Sequence, residues 1–271
     1  TETRNVAQLM AGSEGTLAVL TEVTIDLVAK PDTTVLGIAS YDTRQQALEA
    51  VTTILDTDPD AVELFDGVAI ERIRATPGYA ERLTFIDGTP GGVLIVEYGG
   101  ASKEDLARKL DDLDAVLPET NARGPARRIQ HDDAIANVWS IRKEGLGLVM
   151  GVEGEYKPWA LIEDASVPVE HLPAYIDELS TLIDELDVRA AYYAHASAGC
   201  LHVRPFVNTK TDEGLEQLDT IARGSLELVK RYGGVTSSEH GDGIVRGALN
   251  RELLVDDLYA VNQQVKPIFD P

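Results

Sequence analysis

The chain alternates short apolar segments of strand length with amphipathic helical segments, and this order constrains the fold more than any other feature. In the first half, strands are predicted at residues 35–41, 61–65, 92–98 and 127–131, and helices at residues 43–56 and 102–117. In the second half, strands are predicted at residues 159–166 and 235–237, a hairpin at 192–207, and helices at 169–186 and 211–232. A further helix, at residues 132–150, lies between the two units. This pattern predicts an α+β fold, with ferredoxin-like β-α-β units forming a large antiparallel sheet with helices on one face.

Two histidines flank a turn of small residues within the predicted hairpin. His195 and His202 are seven residues apart, a spacing that also fits two turns of helix. Gly199 and the flanking tyrosines and valines favour strands, which would bring the two imidazoles close together across the turn. The alternative is that both histidines are purely structural.

A second motif, Ser238-Glu-His-Gly-Asp-Gly, follows about forty residues later. Its glycines allow a sharp turn and close approach to a ligand. Imidazole and carboxylate groups suit Zn, Mn or Fe and leave coordination positions open. We therefore predict a divalent-metal site formed by His195, His202 and Glu239, with His240 beside it as a proton acceptor.

Four ordered motifs resemble one family. These are Gly12-Ser-Glu-Gly-Thr-Leu-Ala-Val-Leu-Thr-Glu-Val-Thr-Ile, the histidine hairpin, the Ser238 motif and the ending Lys266-Pro-Ile-Phe-Asp-Pro. They resemble FAD-linked oxidases of the D-lactate, glycolate and D-2-hydroxyglutarate dehydrogenase branch of the vanillyl-alcohol-oxidase-like flavoproteins. The hairpin looks most like that of long bacterial members with a fused iron–sulfur segment. It has Ser-Ala-Gly-Cys where the commoner pattern has Gly-Asp-Gly-Asn.

The resemblance implies that the chain is a fragment. Residues 1–30 would be the C-terminal remnant of the FAD-binding domain, and residues 31–271 the cap or substrate domain. The expected partners are the missing FAD-binding domain, a fused iron–sulfur domain of the parent protein and a small hydroxy acid. The fragment is not expected to bind FAD or to be active on its own.

The resemblance also implies an activity, the oxidation of a D-2-hydroxy acid to the 2-oxo acid with hydride transfer to FAD. His240 would be the base, and the metal would polarise the substrate hydroxyl. Arg142, in Trp139-Ser-Ile-Arg-Lys-Glu-Gly, would bind the substrate carboxylate. The turn expected to contact the flavin contains Gly12, Ser13, Gly15 and Thr16.

Several roles remain open at the level of sequence. Arg142 could equally be a surface residue of its helix. Lys157 stands where relatives often place a substrate-facing lysine, and Arg204 could pair with a carboxylate or reach the substrate. Glu163 and Asp164 precede a Val-Pro pair and are interpreted as structural.

Composition narrows the classes of protein to which the chain can belong. The net charge of −22 disfavours nucleic-acid binding because it repels phosphates, and an anionic substrate would need local cations. Cys200, the sole cysteine, excludes an internal disulfide or iron–sulfur cluster and is predicted to be a small core residue. No apolar run approaches the roughly 20 residues of a membrane span. We expect a cytoplasmic protein, or one attached peripherally to the inner face of the membrane.

Two other functions fit the sequence. One is a noncatalytic α+β module whose histidines bind a structural metal, which would require a fourth protein ligand. The other is a metal-free alcohol or sugar oxidase of the same superfamily.

Overall fold

The computed structural model describes residues 5–270, except for the side chain of Leu146. The first four residues of the predicted flavin-domain remnant, and Pro271 of the terminal motif, lie outside the described part. The strands are β1 (Thr33–Tyr41), β2 (Ala61–Asp66), β3 (Gly92–Gly100), β4 (Arg127–Ile129), β5 (Lys157–Pro158), β6 (Ile162–Ser166), β7 (Ala190–His195) and β8 (Cys200–Val207). The helices are α1 (Val6–Met10), α2 (Arg44–Glu49), α3 (Val51–Leu55), α4 (Gly67–Arg74), α5 (Lys103–Val116), α6 (Asp132–Met150), α7 (Leu172–Glu185), α8 (Asp212–Arg231), α9 (Gly243–Arg246) and α10 (Asn250–Phe269).

The strands form one antiparallel sheet in the order β4-β1-β3-β2-β7-β8-β5, and β6 also pairs with β8. The pairing of β2 with β7 joins the two predicted β-α-β units, because Phe65 lies opposite Tyr193 and Glu63 lies opposite His195. The predicted α+β class and the large antiparallel sheet are therefore confirmed.

Apolar side chains pack on both faces of the sheet. The larger core lies between one face and helices α2, α3, α5, α7 and α8. The smaller core lies on the other face, which α4 and α6 cover with residues such as Ile70, Ile73 and Ile141. Four consecutive residues of β3, Val93 to Val96, are buried, and such a strand needs cover on both sides. The predicted placement of the helices on one face therefore does not hold for α4 and α6, which cover the opposite face.

The predicted strand at 235–237 is reduced to a single bridge between Val235 and Ser166. After this bridge the chain bends, because the following residues bond to the side chain of Asp164 rather than to a neighbouring strand. Of the predicted strand at 159–166, only Ile162–Ser166 forms a strand, β6, and Asp164 interrupts the β6–β8 register. Both departures create the irregular backbone around the histidine hairpin.

Helix α6 was predicted with its observed bounds, and the serine predicted to begin α5 is its N-cap. The Ser102 hydroxyl accepts a hydrogen bond from the backbone N–H of Asp105. Among the described helices, none is both long enough and apolar enough to cross a membrane.

Candidate active site and metal centre

The β7–β8 hairpin places His195 and His202 on the same face of the sheet, as the sequence predicted. Tyr193 lies opposite His202, and His195 lies opposite Cys200. The two imidazole ring centres are 5.1 Å apart, with the rings nearly perpendicular. Gly199 closes the turn with a φ of +67°, and a Cβ atom there would collide with the carbonyl oxygen of Val167. Glycine is therefore required at the position that sets the spacing of the two histidines.

Asp164 holds the turn that carries the second motif. Its side chain is fully buried, and it has a φ of +78° at the irregularity in β6. The carboxylate accepts hydrogen bonds from the Ser238 hydroxyl at 2.8 Å and from the backbone N–H groups of Glu239 at 2.8 Å and His240 at 2.7 Å. Burial acts to raise the pKa of Asp164, but the hydrogen bonds from Ser237, Glu239 and His240 outweigh it and hold that pKa below its ordinary range.

This turn brings Glu239 and His240 to the hairpin histidines. The Glu239 carboxylate lies 3.7 Å from Nε2 of His195 and 3.9 Å from Nε2 of His240. The rings of His202 and His240 are stacked, with their centres 5.3 Å apart. Adjacent residues of a regular strand would face opposite sides, but this segment is a turn that ends at Gly241, where φ is +84°. The four residues predicted for the site thus form one cluster.

Two further glutamates face this cluster. Glu63 in β2 lies 2.6 Å from Nδ1 of His195. Glu163 in β6 lies 3.3 Å from Nδ1 of His240 and 3.6 Å from Nδ1 of His202. The sequence favoured a structural role for Glu163 and did not single out Glu63. A charged residue within the otherwise apolar segment Ala61–Phe65 was the signal available for Glu63.

The two hairpin histidines differ in their electrostatic environment. The hydrogen bond with Glu63 raises the pKa of His195. Burial, together with the neighbouring imidazoles of His195 and His240, lowers the pKa of His202 to about 3. Its ring is therefore neutral at neutral pH, the form that binds metals, and its buried Nδ1 has no hydrogen-bond partner. These properties fit a cation bound by this cluster.

Potential ligand atoms lie within 4.8 Å of one another in each of two groups, Glu163–His202–His240 and Asp164–Cys200–Glu239. The predicted set of His195, His202 and Glu239 is neither of these groups: it shares His202 with the first and Glu239 with the second, and His195 belongs to neither. The Asp164 carboxylate in the second group is already occupied by the hydrogen bonds of the turn. Burial raises the pKa of Cys200 to about 12, so its thiol stays protonated, in keeping with the predicted core residue.

Arg142 extends from α6 towards the sheet and is not a surface residue. Its side chain is 13% exposed, and Nη2 donates to Glu63 at 3.0 Å. The guanidinium carbon lies 5.1 Å from the centre of the Tyr193 ring, and the buried Nε has no hydrogen-bond partner. The residue predicted to bind a carboxylate thus lies on the same face of the sheet as the histidine cluster.

The other two basic candidates have different surroundings. Arg204 donates to Glu163 at 2.8 Å, which is the predicted pairing with a carboxylate. Lys157 is exposed on β5, and its Nζ donates to the backbone carbonyl of Val152. The contacts of Arg204 bring it to the cluster, whereas those of Lys157 do not.

The turn predicted to contact the flavin lies against the loop that carries His240. Gly12 and Gly15 have φ values of +76° and +71°, and Thr16 donates from both its N–H and its hydroxyl to the carbonyl of Ser13. Between them, Glu14 accepts hydrogen bonds from the backbone N–H groups of Asp242 at 2.8 Å and Gly243 at 3.3 Å. The sequence did not single out Glu14, because its partners are more than two hundred residues away.

Comparison with known proteins finds relatives of this sequence among oxidoreductases. The D-2-hydroxyglutarate dehydrogenase of Haemophilus influenzae is 28% identical over 276 residues, covering 98% of this chain and 27% of that protein. The glycolate oxidase subunit GlcD of Escherichia coli is 27% identical over 267 residues, covering 97% of this chain and 51% of that protein. The chain therefore spans between about a quarter and half of the length of these relatives.

The fold is similar to that of p-cresol methylhydroxylase, with a TM-score of 0.62 at 12% identity over 90% of this chain and 52% of that one. The family model for FAD linked oxidases, C-terminal domain, matches residues 30–271. Since this match covers most of the sequence, the chain belongs to the family of FAD-linked oxidase C-terminal domains.

Proposed function

We propose that this chain is the substrate-binding part of a flavin-dependent dehydrogenase that oxidises a D-2-hydroxy acid to the 2-oxo acid. The observation that carries the proposal is the cluster of His195, His202, Glu239 and His240 beside the buried Arg142. Family membership and the names of the relatives, D-2-hydroxyglutarate dehydrogenase and glycolate oxidase subunit, support it. In this proposal residues 31–271 are the cap domain, and residues 1–30 belong to the FAD-binding domain.

His240 is the base that takes the proton from the substrate hydroxyl. Its side chain is about half exposed, so a substrate can reach it. Its Nδ1 lies 3.3 Å from the Glu163 carboxylate, and a proton on that nitrogen leaves Nε2 to accept the substrate proton. Glu163 also pairs with Arg204, and this contact keeps the Glu163 carboxylate in place.

Arg142 binds the substrate carboxylate. One nitrogen of its guanidinium is held by Glu63, which leaves the others to donate to an anion. The planar group suits two parallel hydrogen bonds to a carboxylate. This local cation supplies what the strongly negative chain as a whole cannot.

His195, His202 and Glu239 would hold a divalent ion, and Zn, Mn and Fe suit this donor set. When bound, such an ion polarises a hydroxyl group and favours its loss of a proton. The chain's contribution is to keep His202 neutral by burial and to aim Nε2 of His195 towards Glu239.

Gly12, Ser13, Gly15 and Thr16 approach the flavin with their backbone. Bound FAD supplies the hydride acceptor, and the protein supplies orientation and charge. Because Glu14 bonds to the loop after His240, the chain keeps the cofactor turn and the base at a fixed spacing. We propose that an FAD-binding domain belongs to the same gene product, which the greater length of the relatives supports.

The test is an assay of the complete gene product that contains residues 1–271, with FAD and a dye as electron acceptor. The substrates are the D- and L-forms of 2-hydroxyglutarate and lactate, together with glycolate. We expect turnover of a D-enantiomer or of glycolate that is lost on chelation and restored by a divalent ion. Turnover of aryl alcohols or sugars that is insensitive to chelation, or turnover of none of these compounds, would overturn the proposal.

A further inference from the structure

We propose that Glu63 is a positioning residue that orients two groups of the site at once, the imidazole of His195 and the guanidinium of Arg142. The inference rests on the proposed function, because those groups are the proposed metal ligand and carboxylate-binding residue. No step of the chemistry requires Glu63 to touch the substrate.

Each oxygen of Glu63 has one partner in the site. Oε1 lies 2.6 Å from Nδ1 of His195, and Oε2 lies 3.0 Å from Nη2 of Arg142. An ionised carboxylate only accepts hydrogen bonds, so Nδ1 of His195 must carry the hydrogen. The free lone pair is then on Nε2, the nitrogen that faces Glu239 at 3.7 Å. Carboxylates that bind the far nitrogen of a ligating histidine fix its tautomer and ring orientation in this way.

Burying the carboxylate of Glu63 costs free energy, and the fold alone does not require a charge at this position. Its side chain is 10% exposed, in a strand whose neighbours Val62 and Leu64 are fully buried. A buried ion pair is often no more stabilising than apolar residues of similar volume. The charge is therefore better explained by what it orients than by what it contributes to stability.

Glu97 provides a matched comparison in the same sheet. It lies on the adjacent strand β3, on the same face as Glu63, and accepts a hydrogen bond at 3.0 Å from Nε1 of Trp139 in α6. Both glutamates therefore bond to the same helix, but the described bond of Glu97 is to an indole and not to the cluster. A variant at Glu97 reproduces the loss of a half-buried carboxylate beneath α6 and leaves His195 and Arg142 in place.

The experiment compares Glu63→Gln with Glu97→Gln in the 271-residue chain. The first measurement is the tautomer of His195 by ¹⁵N NMR of the metal-free chain, at a pH where the imidazoles are neutral. We expect a single Nδ1–H form in the wild type and in Glu97→Gln. In Glu63→Gln we expect a mixture, because a carboxamide can either donate or accept. A single Nδ1–H form that persists in Glu63→Gln would overturn the proposal.

The second measurement is the affinity for Zn²⁺ or Mn²⁺ by calorimetry. Glu63→Gln should weaken binding by about 10- to 100-fold, the usual effect of losing such a partner, whereas Glu97→Gln should bind as the wild type does. Equal losses in both variants would reduce the role of Glu63 to general support of α6 and contradict the proposal. A wild type that binds neither ion would refute the metal in the proposed function, while the tautomer comparison would still decide the role of Glu63.

Substrate kinetics in the complete gene product test whether Glu63 also orients the guanidinium of Arg142. Loosening Arg142 should raise KM for the hydroxy acid in Glu63→Gln beyond any change in Glu97→Gln, and an unchanged KM would contradict this part. If Glu63→Gln does not fold, Glu63→Asp keeps the charge and shortens the side chain by one methylene. That variant should also lose metal affinity, and wild-type affinity in it would overturn the proposal.

Discussion

His240 lies between Glu163 and Glu239, in contact with the proposed metal ligands but outside that set. If it is the base, replacing it by Gln should lower kcat by about 10²- to 10⁴-fold, the usual contribution of a positioned acid–base group. Metal content should stay near that of the wild type, whereas Glu239→Ala should lose both metal and activity. Steady-state assays and metal analysis of the gene product measure these effects.

The control is His131→Gln, at the exposed start of α6. It removes an imidazole from the same chain and should leave kcat unchanged. Near-normal turnover in His240→Gln would exclude His240 from the mechanism and assign proton removal to another group.

Asp164 lies beneath the same turn, and its hydrogen bonds predict a pH-dependent contribution to stability. Asn tolerates a positive φ but cannot accept all the N–H and hydroxyl donors around this side chain, so Asp164→Asn should lose about 1–3 kcal/mol of unfolding free energy at pH 7. Because the folded-state pKa of Asp164 is lowered, this stabilisation is present above the unfolded-state pKa of about 3.9 and is lost as the pH falls below it.

Urea denaturation of wild type and Asp164→Asn at pH 7 and at successively lower pH tests this sign. The gap in unfolding free energy between the two proteins should narrow as the pH falls below about 4, because the unfolded state then binds a proton at Asp164 that the folded state binds only at lower pH. A gap that is constant with pH would mean that the carboxylate charge does not hold the turn.

Among the elements, the β7–β8 hairpin depends on one glycine. Gly199 has a φ of +67° and no room for a Cβ atom, whereas Gly233, after α8, has a φ of +69° and open space around it. Gly233→Ala should therefore cost only the backbone term, about 1–2 kcal/mol. Gly199→Ala should cost more, because the hairpin must shift away from Val167.

Comparing Gly199→Ala with Gly233→Ala separates the cost of backbone strain from the effect on the geometry of the site. Gly199→Ala should weaken divalent-metal binding because it changes the spacing of His195 and His202, and Gly233→Ala should leave that binding intact. Urea denaturation and calorimetric metal titration measure both quantities. Equal losses of stability in the two variants, with metal binding retained in both, would contradict the role given to the turn.

The sequence could predict the elements that depend on residues close together in the chain. Helix α6, the cap of α5 and the histidine hairpin follow from periodicity, capping and turn residues within short windows. The segment after Val235 failed as a strand because its partner is Asp164, more than seventy residues earlier in the chain. Glu63 and His195 are 132 residues apart, so their contact depends on the β2–β7 pairing that periodicity does not specify.

For the whole molecule, charge is distributed unevenly. The chain carries a net charge of −22, yet Arg142, Arg204 and Arg246 are mostly buried around the proposed site. Arg246 donates to the backbone carbonyls of Glu163 and Gly241 and pairs with Asp242, so it stabilises the loop after His240. Arg142 is the local cation that the proposed function assigns to an anionic substrate, whereas Arg204 and Arg246 pair with Glu163 and Asp242.

The location of a bound ion tests the central claim most directly. Crystals of the chain soaked with Mn²⁺ or Zn²⁺ should give one anomalous-scattering peak, within about 2.0–2.2 Å of ligand atoms from His195, His202 and Glu239. An ion on Glu163, His202 and His240 would make the proposed base a ligand and contradict the assignment of roles. A soak that leaves this cluster without a peak, while solution titration also detects no binding, would contradict the metal-dependent account altogether.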